Sequence, residues 1–358
     1  MKRIAAAGAI AAVAAAVLIA VAAGSIRLGP PADPGSLRWP HSSRGLAALL
    51  ENYDGGDYAA IARDPSFARP DVYGSNGEAA YRAQRPLFGE MAWAASLGNP
   101  DRVPFALATL SVLSAAFAVG ALGVLLVRRR LSPFLALAVF ALPGVPVAVY
   151  DMMSDLLLLA LITVGLLVWE PQSRTRSRWA VLALTAAALT RETSLLVPAA
   201  LIAVEIARVG WRAAWPRVRC LWVPFVTYAA WITFVRLRFE AFPVTARRGR
   251  LTAVPFGGVF DMLRDSPYKA AAPWFISGVA MLVATIMVGR RDRWFVTTIA
   301  FAVMGVFLGR YVWQRPEDFG RVLLPLYAYS AVIVASALWE RGAFVSLHRA
   351  RSPVRSVS

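Results

Sequence analysis

The chain of 358 residues is 58% hydrophobic and 16% charged, with a mean hydropathy of +0.56. Soluble proteins run nearer half apolar and about a quarter charged, so the composition excludes an ordinary pair of soluble domains and indicates one polytopic membrane domain. The net charge of +17 does not imply nucleic acid, because the basic residues, almost all Arg, sit in short clusters between apolar runs; Cys220 as sole cysteine excludes an intrachain disulfide, and only His41 and His348 are available for zinc.

Met1-Lys2-Arg3 precedes an apolar run over residues 4–26, which reads as a retained first membrane helix; a cleaved signal peptide is the alternative. Residues 27–102 are too polar to cross and form the first extracytoplasmic loop. In this loop, residues 46–52 look like a short amphipathic helix, and residues 58–63 like the first turns of another. Between them lies Tyr53-Asp54-Gly55-Gly56-Asp57-Tyr58, two carboxylates between tyrosines at a glycine bend. That bend is either a solvated turn or the seat of a general base or metal ligand. Residues 87–97 would lie as an interfacial helix with Trp93 at headgroup level.

Further apolar runs cover residues 103–127, 134–150, 156–169, 179–190, 194–207, 221–235, 270–289, 294–313 and 322–339. With the first helix they make an all-α protein of about ten spans, a single membrane domain over residues 1–340 with a basic cytoplasmic tail at 341–358. A second extracytoplasmic loop falls at 236–269, and both termini are cytoplasmic. On this count the arginine clusters at 128–130, 174–178, 208–219 and 290–293 share one side. Asp54, Asp57, Asp151, Asp155, Arg191, Glu192, Glu317 and Asp318 share the other.

Asp151 and Asp155 are four residues apart, so on one helix they would share a face, although Asp155 suits a helix cap equally well. Thr190-Arg191-Glu192-Thr193 interrupts an apolar stretch; it is either an outside turn with a local Arg–Glu pair or a phosphate-binding guanidinium. Arg321 opens the last run beside the outer surface, as a snorkelling anchor or a site residue. In the second loop Arg236, Arg238, Arg247, Arg248 and Arg250 run against the positive-inside bias, through an anionic partner or through chance in an Arg-rich chain.

In combination these segments resemble the polytopic GT-C glycosyltransferases that use polyprenyl-phosphate sugars, especially the bacterial mannosyltransferase-like members. The resemblance rests on Tyr53-Asp54-Gly55 and 58–62 after the first helix, on 81–87 before the second span, on 189–193, and on 321–325. It departs at Gly56-Asp57, where a larger polar residue and an aromatic are expected. The resemblance implies Asp54 as catalytic base, with Arg191, Arg321, Arg85, Tyr58 and Glu192 binding the donor phosphate or substrate. It also implies Asp54, Asp57 and Asp151 as oxygen donors where Mg or Mn takes part. The expected partners are a polyprenyl-phosphate sugar, a lipid, glycan or protein acceptor, and membrane lipids, with the site on the extracytoplasmic face of the cytoplasmic membrane. A transporter or lipid flippase is the rival class.

Overall fold

The computed structural model describes residues 1–30, 41–52, 55–69, 76–142, 144–243, 251–264, 272–289 and 292–342. These residues form eighteen α-helices joined by short 3₁₀ segments, with one isolated antiparallel bridge between Leu251 and Leu308 and no strand. The all-α expectation holds.

Among the described residues, three helical stretches are long and apolar enough to cross a membrane. They are α1 (Lys2–Ser25), Pro100–Arg128 with α6 (Val103–Arg128), and Trp211–Phe239 with α11 (Trp211–Val218) and α12 (Val223–Phe239). Two bent pairs raise the number to five if each is one span. The 3₁₀ helix Pro133–Ala141 meets α7 (Gly144–Tyr150) at 85°, and α17 (Pro316–Val322) meets α18 (Leu324–Glu340) at 70°. The other runs counted as spans are shorter helices, among them α8 (Asp155–Val168), α14 (Ala272–Val288) and α15 (Arg293–Val306). At a rise of 1.5 Å per residue α8 covers only about 21 Å, against a hydrocarbon layer of roughly 30 Å.

Three segments differ from the sequence reading. The arginine cluster at 208–219, which falls between two apolar runs, contains α11, and the second loop contains α13 (Gly257–Arg264). The run 294–313 breaks after α15 and resumes as α16 (Arg310–Trp313). The break has a partner: the N–H groups of Thr252 and Phe256 donate to the carbonyls of Phe307 and Val306 at 2.9 and 2.8 Å. The second loop thus takes carbonyls at the end of α15.

The core is built on α6, which packs against α1 and α8, while α8 packs in turn on α9 (Arg174–Thr190). Ala7, Ala11 and Ala15 of α1 repeat every four residues and are fully buried, a small-residue face that lets helices approach closely in an apolar medium. A separate cluster of Ala60, Ile61, Phe67, Ala79, Ala80, Ala83, Val235 and Phe239 docks α3 (Gly55–Arg63) and α4 (Asn76–Ala83) on α12. Trp231 donates to the carbonyl of Ala83 at 2.8 Å, and Arg238 to those of Phe67 and Ala68 at 2.5 and 2.6 Å. Arg238 therefore ties the first loop to α12, and Arg236 lies over the ring of Phe242 at 4.8 Å. Both are held by the protein itself, while Arg247, Arg248 and Arg250 lie outside the described residues.

Candidate functional site

The site is organised by the turn between α7 and α8. The N–H of Met153 reaches the carbonyl of Ala148 at 2.8 Å and that of Met152 reaches Val149 at 3.1 Å, the paired bonds of a Schellman ending. Its left-handed position, normally Gly, is occupied by Met152 at φ 54°, a strain of about 1 kcal/mol in the backbone. Because the helix ends here, Asp151 and Asp155 do not share a helical face, as their spacing had implied.

The turn instead distributes its side chains to three helices. Met153 places its sulfur against the Arg321 guanidinium. Ser154 shares a hydrogen bond of 2.7 Å with the Tyr58 hydroxyl from α3. Asp155, 1% exposed, forms an ion pair with Arg191 at the end of α9. Asp155 is thus no simple cap, and Ser154 makes no capping bond with its side chain.

Gly55 and Gly56 start α3 without positive φ. The Asp151 carbonyl occupies the space a Cβ at position 55 would need, and the Leu50 carbonyl crowds position 56. The glycine pair brings α3 against the α7–α8 turn, backbone to backbone. Tyr53 and Asp54, immediately before, lie outside the described residues.

Arg85, just before α5 (Pro86–Ala95), grips Glu192 with both prongs, Nε to one oxygen at 2.8 Å and a terminal nitrogen to the other at 2.5 Å. Its guanidinium also lies 5.4 Å from the centre of the Tyr81 ring. Burial alone would raise the Glu192 carboxyl, but the Arg85 charge reverses this and holds it at about 2. Burial likewise raises the Tyr58 phenol, with Arg85 opposing. The local Arg191–Glu192 pair is therefore replaced by two long-range pairs, Arg191 with Asp155 and Glu192 with Arg85. The extended backbone at Arg191, φ −161°, sends the neighbouring side chains apart.

The 3₁₀ turn Glu192–Leu195 then leads into α10 (Leu196–Val209). The Arg191 Nε and the hydroxyls of Thr193 and Ser194 are buried there without a hydrogen-bond partner in the protein. Arg321, also buried, donates to Asp318 at 2.5 Å, which makes it a core residue and not a snorkelling anchor. A Cβ at Gly144 would meet the Arg321 backbone nitrogen at 2.5 Å, so the two bent helix pairs cross at this contact.

Asp57 pairs with Arg82 of α4 at 3.0 Å. Among the described residues no three His, Cys, Asp or Glu side chains gather as a metal site. An open cleft of about 490 Å³, lined by Ala95, Asp101, Arg102, Phe105, Ala106 and Thr109, lies at the start of α6 and includes none of the site residues.

The chain has no significant match among known protein families, curated proteins or solved structures. Its site is therefore read from its own chemistry. Sequence reasoning placed Tyr58, Arg85, Arg191, Glu192 and Arg321 among the candidates; Tyr58, Arg191 and Arg321 touch residues 153–155, while Glu192, next to Arg191 in the chain, pairs with Arg85. The sequence left Asp155 open between a helix cap and an acid sharing a face with Asp151, because an acid at a helix start gives the same signal for either role, and it gave no partner for Ser154.

Proposed function

We propose that this chain is a membrane glycosyltransferase that moves a sugar from a polyprenyl-phosphate donor to a lipid, glycan or protein acceptor. The arginine-rich end around Arg128 is assigned to the cytoplasm by the positive-inside rule, and the Arg191 end to the extracytoplasmic face. The supporting observation is the Arg191 constellation. Its guanidinium is oriented by buried Asp155, and with Thr193 and Ser194 it carries polar groups that no protein atom satisfies, beside the start of α10. Arginine, hydroxyls and a helix N-terminus together form a donor set for a phosphate. All three arginines are engaged by an acid, but only Arg191 has the unsatisfied hydroxyls of Thr193 and Ser194 beside it, so Arg191 is the first phosphate ligand and Arg85 and Arg321 are supporting charges.

In the reaction the acceptor oxygen attacks the anomeric carbon, and the bond from that carbon to the phosphate oxygen breaks. Its electron pair stays on the phosphate, where Arg191 balances the charge. The hydroxyl proton passes to Asp54, the carboxylate of the glycine bend. A Mg or Mn ion at this end would draw oxygens from Asp54 and Asp151 in preference to Asp57, which Arg82 holds.

The test is transfer from a panel of polyprenyl-phosphate sugars by the purified protein in lipid. Asp54→Asn is expected to slow transfer by about 10²–10⁴-fold, the usual contribution of a general base. Transfer at the wild-type rate by Asp54→Asn overturns the mechanism. The crossing of two bent helix pairs at Gly144 and Arg321 favours a second reading, a lipid flippase built on broken helices. Movement of a labelled polyprenyl-phosphate lipid across proteoliposomes with no covalent product would select it.

A further inference from the structure

The end of the molecule opposite Arg191 carries a feature the sugar-transfer reading does not use. α10 starts beside Arg191 and ends at Gly210, whose φ of 77° turns the chain into α11. Together α11 and α12 run as a 29-residue helical stretch. At 1.5 Å per residue that is about 44 Å, roughly 14 Å more than a hydrocarbon layer accommodates. The surplus corresponds to α11, which falls at headgroup level when α12 spans.

The side chains of α11 suit that level. Ala214 and Val218 are buried, and α11 packs on α10. Trp211, Trp215 and Trp222 are 53%, 41% and 42% exposed, and the first two rings lie 5.2 Å apart. Arg208, Arg212 and Arg219 are exposed around them, while Arg217 is taken by Glu205 at 2.8 Å. At about 100° per helical residue, the three tryptophans and Arg212 and Arg219 fall within one arc of roughly a quarter turn. Among the described residues the three exposed arginines form no ion pair, and no acidic side chain lies between residues 206 and 239.

We propose that α11 and its flanks form a binding surface for anionic phospholipids. Arg208, Arg212 and Arg219 hold headgroup phosphates, and Trp211, Trp215 and Trp222 lie at the boundary between headgroups and acyl chains. A wholly positive, aromatic surface on a helix that outruns the bilayer complements an anionic leaflet in both charge and depth. The assignment depends on α12 crossing the membrane and not on sugar transfer.

The test uses the full chain purified with native lipid and then exchanged into nanodiscs of phosphatidylcholine, alone or mixed with phosphatidylglycerol. Co-purifying lipid is quantified by mass spectrometry, tryptophan quenching is read with brominated phosphatidylglycerol, and particle mass reports oligomeric state. Wild type should retain phosphatidylglycerol over phosphatidylcholine. The triple variant Arg208→Gln/Arg212→Gln/Arg219→Gln should lose that preference by on the order of a hundredfold in affinity, the combined effect of three surface charges. Arg174→Gln/Arg178→Gln, two exposed arginines at the same end, should leave it unchanged. Equal retention of both lipids by wild type overturns the proposal, as does an equal loss in the control variant. A dimer that the triple variant dissociates, with lipid preference intact, would assign the surface to a second copy of the chain instead.

Discussion

At the Val168 end of α8, Arg128 and Arg293 donate to the carbonyls of Leu167, Leu166 and Trp169, and Arg129 pairs with a part-exposed Asp292. At the Asp155 end, thirteen residues away, Arg191 and Arg85 each meet a carboxylate brought from a different element, with Asp155 almost fully buried. The first end uses cations as generic complements to a helix C-terminus, an interaction worth about 0.3–1 kcal/mol and weakened by salt. The second takes the Arg191–Asp155 pair largely out of water, where losing one partner strands the other. The same residue type therefore anchors one end and makes the other a place of high electrostatic stakes. An arrangement tolerant of substitution suits a lipid-facing rim; an intolerant one suits a site.

Breaking the buried pair is the strongest test of this contrast. Arg191→Leu should destabilise by about 3–5 kcal/mol in thermal unfolding in detergent, with Asp155→Leu/Arg191→Leu recovering much of the loss. A double variant no more stable than the single would show that the pair is not isolated as described. Next, Glu192→Gln should cost about 1.5–3 kcal/mol, the range for hydrogen bonds to a charged group. The same pair sets a pH dependence. The Glu192 carboxyl sits at about 2 in the fold against a reference of 4.5, so its contribution is complete above about pH 4.5. It is lost as pH falls from there toward 2, and unfolding of Glu192→Gln should lack this component.

A smaller effect is expected for Tyr58→Phe, which leaves the buried Ser154 hydroxyl without its partner, about 1–2 kcal/mol. Tyr58→Phe/Ser154→Ala should return part of it; a double variant equal to the sum of the singles would deny the coupling. Smallest is Arg128→Gln, below about 1 kcal/mol and smaller still at high salt. A loss there as large as for Arg191→Leu would erase the distinction between the two ends.

Much of this was legible in one dimension. Helix α1, the short helix α2 (Gly45–Asn52) and helix α6 follow from apolar runs and their polar flanks, since hydrophobic length and periodicity are local properties. The arginines and acids of the Asp155 end were also visible as charges interrupting apolar sequence, which is costly in a membrane protein and draws notice. Their partners were not. Arg191 and Glu192 are neighbours in sequence and oppositely charged, yet an extended residue between two helices turns them toward Asp155 and Arg85. The number of helices of spanning length differed for a related reason. Tertiary hydrogen bonds from Thr252 and Phe256 end α15 within a run that hydropathy reads as continuous.

Composition and pattern alone determined that this chain is helical and apolar, with arginine clusters set between apolar runs, because each depends only on residues near one another in the chain. Tertiary structure decided which arginine meets which acid, where helices break, and why positions 55 and 144 are glycine. Those outcomes depend on contacts between segments up to 177 residues apart, at Gly144 and Arg321, and no local propensity encodes them.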